Sequence, residues 1–393
     1  METKTSYDMY VPTRTLFGAG TLEKLGDQPM PGKKALLMIS DGKSVRATGT
    51  LARTEAQLRR AGVEWTLFDK VGPNPLKSAV MAGGAAAREN GCDFIVALGG
   101  GSVMDAAKGV AVVATNEGDL WDYVAFGTGK GRPIAVRPLP IVAVTTTAGT
   151  GSETDCGGVI TNPETREKTA LLDPALFPVL AVVDPELTRT VPAKFTAYQG
   201  FDALFHSTES FISAHANLMS DMYALTAIEH VARWLPRAVR DGNDAEARLH
   251  VSWGNTLSGT VMCVGACTSE HSLEHALSAF HQDLPHGAGL IMISLAYYAR
   301  FIELGVSPER FVKMAQVMGM PAADKPEDFL AALAKLQRDC GVADLKMSDW
   351  GISRDEFPAM VRNARESMSM LFACDPAPLS EADCLAIYEK SFR

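Results

Sequence analysis

Four of the chain's eight histidines, His271, His275, His281 and His286, fall within sixteen residues of one apolar segment, and none of the eight precedes His206. Upstream, Asp202-Ala-Leu-Phe-His206 sets a carboxylate and an imidazole four positions apart, a spacing that puts both on one face of a helix. His271 and His275 repeat that spacing, and His286 stands just before a glycine in Leu-Pro-His-Gly. One carboxylate and three imidazoles form a donor set suited to a divalent ion such as Zn²⁺ or Fe²⁺. Held with one position open, such an ion polarises an alcohol or carbonyl oxygen.

A second group of residues points to a nucleotide. Phe94-Ile-Val-Ala-Leu98 runs directly into Gly99-Gly100-Gly101-Ser102-Val-Met-Asp105-Ala-Ala-Lys108, the pattern of a strand, a turn and a helix start. Three glycines are expected to free the backbone for positive φ and to let peptide N–H groups approach a pyrophosphate. Ser102 and Asp105 have the spacing of a capping box, which would set the helix N-terminus at the turn. The segment is not the G-x-G-x-x-G fingerprint. Asp41, after the apolar run Ala35–Ile39, can accept hydrogen bonds from a ribose diol and repel a 2′-phosphate, which favours NAD over NADP. The hydroxyl-rich stretch Thr145–Glu153 offers donors to phosphate or amide groups.

These residues need elements to position them. Over residues 34–190 short apolar runs alternate with helical patterns: strands at 35–39, 65–68, 94–98, 140–144, 158–160 and 182–184, with helices at 50–61, 76–90 and 103–115. Such alternation predicts a largely parallel sheet covered by helices. Beyond Pro192 the apolar residues recur at three- and four-residue intervals with no β-rich run, which predicts an all-helical region over 191–393. The expected organisation is a dinucleotide-binding α/β domain at 1–190 and a helical metal and substrate domain at 191–393, with the ligand cleft where they meet. A net charge of −9 without a basic run argues against nucleic acid and anionic membranes. No stretch reaches the ~18 apolar residues of a spanning helix, and the N-terminus lacks an apolar signal core, so a cytoplasmic location is expected. Seven scattered cysteines read as reduced thiols.

Taken in order, Gly99–Lys108, Thr145–Glu153, Val183-Asp-Pro-Glu-Leu-Thr188, Asp202-x-x-x-His206, His271-x-x-x-His275 and Pro285-His286-Gly287 closely resemble the iron-containing (group III) alcohol dehydrogenase family over nearly the whole chain. The resemblance implies a dehydroquinate synthase-like architecture, NAD, Fe²⁺ or Zn²⁺ as the metal, and a homodimer or larger homo-oligomer. It assigns the metal to Asp202, His206, His271 and His286. His275 falls on the family's additional histidine near the nicotinamide, a candidate for proton relay because imidazole titrates near neutrality. Gly99, Gly100, Gly101, Ser102 and Asp105 resemble the pyrophosphate turn, Thr146, Thr147 and Thr150 the cofactor loop, and Lys168 the lysine near the ribose. Asp41 matches the position where an acidic residue favours NAD. Departures bear on the substrate pocket: the 276–285 loop is one residue longer, Thr145 replaces a proline, Glu274 stands where a small or apolar residue is commoner, and Asp375 follows Cys374 in place of Asn.

The implied activity is hydride transfer between nicotinamide and a small primary alcohol, diol or matching aldehyde. A lyase or cyclase using NAD transiently, a glycerol dehydrogenase-like polyol oxidoreductase and a non-catalytic metal protein are the alternatives. His215, His230 and His250 read as core histidines, His281 as a pocket or orienting residue, Glu153 as a cap and Glu209 as part of a solvated helical face. Met368 and Met370 read as core or pocket filling.

Overall fold

A computed structural model describes residues 3–393; Met1 and Glu2, the start of the stretch read above for a signal core, lie outside them. The chain divides into two compact units, one holding Val11–Thr190, the other Val191–Arg393 with the N-terminal stretch ending at Tyr10.

The first unit is built on a six-stranded sheet. Its strands are β1 (Arg14–Phe17), β2 (Lys34–Ser40), β3 (Glu64–Val71), β4 (Phe94–Gly99), β5 (Ile141–Thr145) and, after a separate hairpin of β6 (Gly157–Asn162) and β7 (Glu167–Leu172), β8 (Leu180–Val183). The order is β1-β8-β5-β4-β2-β3 and every pairing in the sheet is parallel. Helices α1 (Ser44–Ala47), α2 (Thr50–Arg60), α3 (Lys77–Glu89) and α4 (Gly101–Thr115) supply crossovers. Both faces of the sheet are buried: along β4, Ile95 and Ala97 enter one apolar cluster, while Phe94, Val96 and Leu98 enter another. That double burial is why β2 and β4 read as continuous apolar runs without alternation. Fully burying one such aliphatic side chain stabilises the fold by about 1.5–3 kcal/mol.

Two strands, β1 and β7, escaped the sequence pattern, and the expected strand at 158–160 forms as β6 but outside the main sheet. β1 is a short edge strand beside β8, and β6 pairs with β7 antiparallel instead of extending the main sheet. The chain grows outward from β2 to β3, then returns to place β4 on the other side of β2. The strand order therefore reverses between β2 and β4, and ligands of such sheets sit at the carboxyl ends of the strands flanking that point. Asp41 follows β2 there, and the Gly99–Gly101 turn follows β4.

In the second unit the long helices are α5 (Ala193–Ile212), α6 (Leu218–Arg240), α7 (Ala245–Gly265), α8 (Ser269–Phe280) and α9 (His286–Glu303). They are followed by α10 (Pro308–Val317), α11 (Glu327–Asp339), α12 (Phe357–Ser367), α13 (Ser369–Ala373) and α14 (Glu381–Ser391). No strand forms there among the described residues. Pro192 precedes the first residue of α5, where a fixed φ and a missing N–H cost nothing. The buried Arg248 of α7 pins that end by donating to Thr196 Oγ1 and to the Val191 carbonyl. Asn217 caps α6 through its side-chain oxygen, which accepts from the N–H groups of Met219 and Ser220. From Thr196 to Ile212 almost every residue of α5 is buried, so this helix forms the axis of the unit. All seven cysteines are free thiols. Among the described residues no helix is long and apolar enough to cross a membrane.

Candidate functional site

Asp202 and His206 lie one turn apart on α5, His271 and His275 one turn apart on α8, and His286 opens α9. Gly287 lets α9 come this close to α5, because a Cβ there would lie 2.1 Å from the Tyr198 carbonyl oxygen. Three imidazole Nε2 atoms converge on one carboxylate oxygen: His206, His271 and His286 lie 3.6, 3.5 and 3.4 Å from Asp202 Oδ1. Asp202 Oδ1 and His271 Nε2 are buried and have no hydrogen-bond partner. Orphaned buried polar atoms are costly in a native protein and need an explanation. Two donors each about 2.1 Å from a tetrahedral ion lie about 3.4 Å apart, so the observed edges fit a divalent metal. Asp202, His271 and His286 bring one donor atom each within 4.8 Å of one another. Cys267, read above only as a reduced thiol, is buried and groups in the same way with His206 and His271.

The electrostatics agree with a cation. Burial would raise the Asp202 carboxyl, yet the imidazoles of His206, His286 and His271 hold it well below the usual range. Burial would lower the His271 imidazole, yet the carboxylates of Glu209 and Asp202 raise it to about 10. The His271 shift reports a negative potential that a proton or a metal ion can satisfy, and the Asp202 shift keeps that carboxylate ionised beside it.

Two glutamates complete the cluster. Glu209 is fully buried, which overturns its reading as part of a solvated face. Its Oε1 accepts from His271 Nδ1, and its Oε2 accepts from the Thr268 N–H (2.6 Å) and Thr268 Oγ1 (3.0 Å). Its sequence signal was present: Glu209 stands seven residues after Asp202 and three after His206, on the same helical face. Glu274 is likewise fully buried and accepts from His286 Nδ1, a contact across twelve residues that spacing does not reveal. Such carboxylate–imidazole pairs fix the ring and set which nitrogen is left to face the cluster.

His275 is buried beside this cluster, its ring centroid 5.2 Å from that of His286. His281 is elsewhere, paired with Glu356 at 3.1 Å, so its polar partner is a carboxylate of the same unit and its place is a helix end. His230 and His250 are half-buried and share a hydrogen bond at 3.0 Å, with His250 stacked on Trp234.

In the first unit the glycine turn differs from expectation in an informative way. None of Gly99, Gly100 and Gly101 has positive φ. Close approach is what requires them: a Cβ on Gly100 would lie 2.8 Å from Thr147 Cγ2, and one on Gly101 2.3 Å from Thr150 Cγ2. The hydroxyl loop is thus packed onto the turn, and Thr146 N–H donates to the Gly99 carbonyl (2.9 Å). The expected capping box is absent as well. The N-cap of α4 is Gly100 and no side chain caps it, which leaves the positive helix end for an anion. Ser102 is therefore already inside the helix. Asp105 points inward, accepting from Ser152 Oγ (2.7 Å) and Val159 N–H (3.1 Å). Burial, aided by Asp155 and opposed by Lys108, pushes its carboxyl up to about 6. Lys108 is fully buried and donates to Ser152 Oγ (2.8 Å) and to the Gly157 carbonyl (2.6 Å) while pairing with Asp155. This group ties α4 to the loop and hairpin, and Lys108 and Asp155 were not singled out from sequence. Lys168 is buried on β7, opposite Thr161 of β6, and Glu153 is fully buried. Asp41 is exposed just past β2, its N–H donating to the Val71 carbonyl (3.0 Å).

A parallel sheet ending in an uncapped glycine turn, and a histidine–carboxylate cluster on helices, describe a dinucleotide- and metal-dependent oxidoreductase. The model of the family described as iron-containing alcohol dehydrogenase matches residues 12–185, and that of its C-terminal domain matches residues 196–392. The chain is 35% identical to the 1,3-propanediol dehydrogenase of Klebsiella pneumoniae over 98% of this chain and 99% of that one. Its fold matches an archaeal halo-thermophilic alcohol dehydrogenase from a Red Sea brine pool at TM-score 0.94 and 32% identity, covering 100% of both chains. It also matches the sulfoacetaldehyde reductase of Bifidobacterium kashiwanohense, solved in complex with NAD+, at TM-score 0.83 and 28% identity over 98% and 99% of the two chains. The chain belongs to the iron-containing alcohol dehydrogenase family.

Proposed function

We propose that this chain interconverts a small primary alcohol or short diol with its aldehyde, using NAD and a divalent ion, Fe²⁺ in preference to Zn²⁺. The observation that carries the reading is the convergence of three imidazole nitrogens on Asp202 Oδ1, which is buried without a hydrogen-bond partner. Asp202, His206, His271 and His286 hold the ion, which when bound supplies Lewis-acid polarisation of the substrate oxygen. The nicotinamide supplies the hydride acceptor. Glu209 and Glu274 keep the imidazoles of His271 and His286 turned toward Asp202. His275 handles the hydroxyl proton. The uncapped start of α4 takes the pyrophosphate, with Gly99, Gly100, Gly101 and Ser102 forming the turn and Thr146, Thr147 and Thr150 the loop against it. Asp105 holds that loop from within, and Lys168 stands for the ribose. The exposed Asp41 carboxylate receives the ribose diol and disfavours NADP by charge repulsion.

The relatives named above act on a diol and on sulfoacetaldehyde, which supports a short polar substrate. The test is an alcohol and aldehyde panel including 1,3-propanediol, run anaerobically on Fe²⁺- and Zn²⁺-loaded protein with NAD and NADP. NADH formation that is lost in metal-free protein and in His271→Ala is expected; activity retained without metal refutes the reading. The protein is further proposed to be a cytoplasmic homo-oligomer, read by cell fractionation and light scattering.

A further inference from the structure

The imidazole of His286 stands at the first position of α9, where backbone support comes from one side only. Its Nε2 lies 3.4 Å from Asp202 Oδ1 while its Nδ1–H donates to Glu274 Oε2. Glu274 comes from the middle of α8, three residues after His271, and is fully buried. Few groups can be placed this way by accident, since burying a carboxylate without a partner is strongly unfavourable.

The surroundings are shaped for it. Gly289 lies one turn into α9, and a Cβ there would lie 2.6 Å from Glu274 Cγ and 2.7 Å from Glu274 Oε1. A glycine inside a helix is less favourable than alanine. Here it clears the space that the glutamate occupies against the start of α9. The hydrogen bond fixes which nitrogen of His286 carries the proton, leaving the Nε2 lone pair directed at the cluster, and it restrains ring rotation.

We propose that Glu274 is a positioning residue for the metal centre, setting the tautomer and orientation of His286 so that the site holds its ion tightly. The inference rests on the metal reading above. Glu274 does not touch the ion; it acts through His286.

The test follows release of Zn²⁺ to excess chelator and the visible spectrum of the Co²⁺-loaded protein, for wild type, E274A, E274Q and G289A. Removal of the acceptor in E274A is expected to speed Zn²⁺ release about 10- to 100-fold, the range seen when such outer partners are lost, and to change the Co²⁺ spectrum. E274Q retains an acceptor oxygen and should recover most of the retention. G289A keeps the glutamate but pushes a methyl into it, and should speed release although alanine favours the helix. This variant keeps the inference testable should E274A fail to fold. Wild-type release rates and spectra in both E274A and G289A overturn the proposal. A wild-type protein that holds neither Zn²⁺ nor Co²⁺, or holds them equally well as Asp202→Ala, refutes the metal reading itself, a result distinct from the first.

Discussion

Gly101→Ala isolates the claim that the glycine turn exists for close packing. Because Gly101 does not have positive φ, alanine meets no backbone strain there, and its helix propensity favours α4 by up to about 1 kcal/mol. Any loss must come from contact. The new Cβ would lie 2.3 Å from Thr150 Cγ2, 2.7 Å from Thr150 Oγ1 and 3.0 Å from Thr150 Cβ. Carbon atoms in ordinary contact are about 3.5–4.0 Å apart, so the Thr150 side chain must retreat by roughly an ångström or more. Overpacking of this kind costs about 1–3 kcal/mol. Expressed wholly in the cofactor-bound state, that is about a 5- to 150-fold weaker Kd for NADH. NADH fluorescence titration and urea unfolding, run together, show how the cost divides between binding and stability. Thr150→Ala removes the two nearest atoms and leaves the contact at 3.0 Å, so Gly101→Ala should cost distinctly less in that background, with a coupling of about 1 kcal/mol or more. An unchanged Kd and unfolding midpoint in Gly101→Ala, or the same loss in both backgrounds, refutes the packing argument.

Three further outcomes are expected. Burial, with the Glu209 carboxylate adding to it, pushes the Asp375 carboxyl up from 3.8 to about 7, so the folded state keeps a proton that the unfolded chain releases. Stability from this group is full below pH ~4 and lost as pH rises to ~7; Asp375→Asn, which keeps an acceptor for Ser269 N–H, should gain on wild type across that window by at most about 4 kcal/mol, and a gap independent of pH contradicts this. Ser102→Ala should change unfolding free energy by less than about 0.5 kcal/mol, because Ser102 does not cap α4; a loss near the ~1 kcal/mol of a deleted cap would restore the capping box. His281→Ala should leave Zn²⁺ content intact and cost no more than about 1 kcal/mol, since His281 pairs with the partly exposed Glu356; loss of metal would bring His281 back to the centre.

The parallel sheet was legible because its interior strands are apolar throughout: the runs at 35–39 and 94–98 lie inside β2 and β4. The strand β1 was not, because Arg14–Phe17 is a four-residue edge with one exposed position and carries little apolar signal. Nor does a strand pattern say which strand pairs with which, so the run at 158–160, inside β6, read as more of the same sheet. The glycine turn shows a different limit. Its location was legible from Gly99–Gly101, but its reason was not, since the loop that excludes a Cβ comes from residues 147–150, about fifty positions away.

The histidine–carboxylate cluster divides along the same line. Asp202 with His206, and His271 with His275, are local pairs whose i, i+4 spacing is itself the geometry. What orients them is shared between helices: Glu209 on α5 holds His271 of α8, and Glu274 on α8 holds His286 of α9. α5 and α8 therefore each carry a donor of their own and the support for a donor on the next helix, while α9 carries His286 alone. A shift of α5 or of α8 disturbs two imidazoles at once, so packing changes far from the donor atoms reach the cluster. Gly287 is such a point, because a side chain there would drive α9 away from the Tyr198 carbonyl of α5 and carry His286 away from Asp202. The cluster is in this sense a property of how α5, α8 and α9 pack, and spacing within one helix could reveal its members only in pairs.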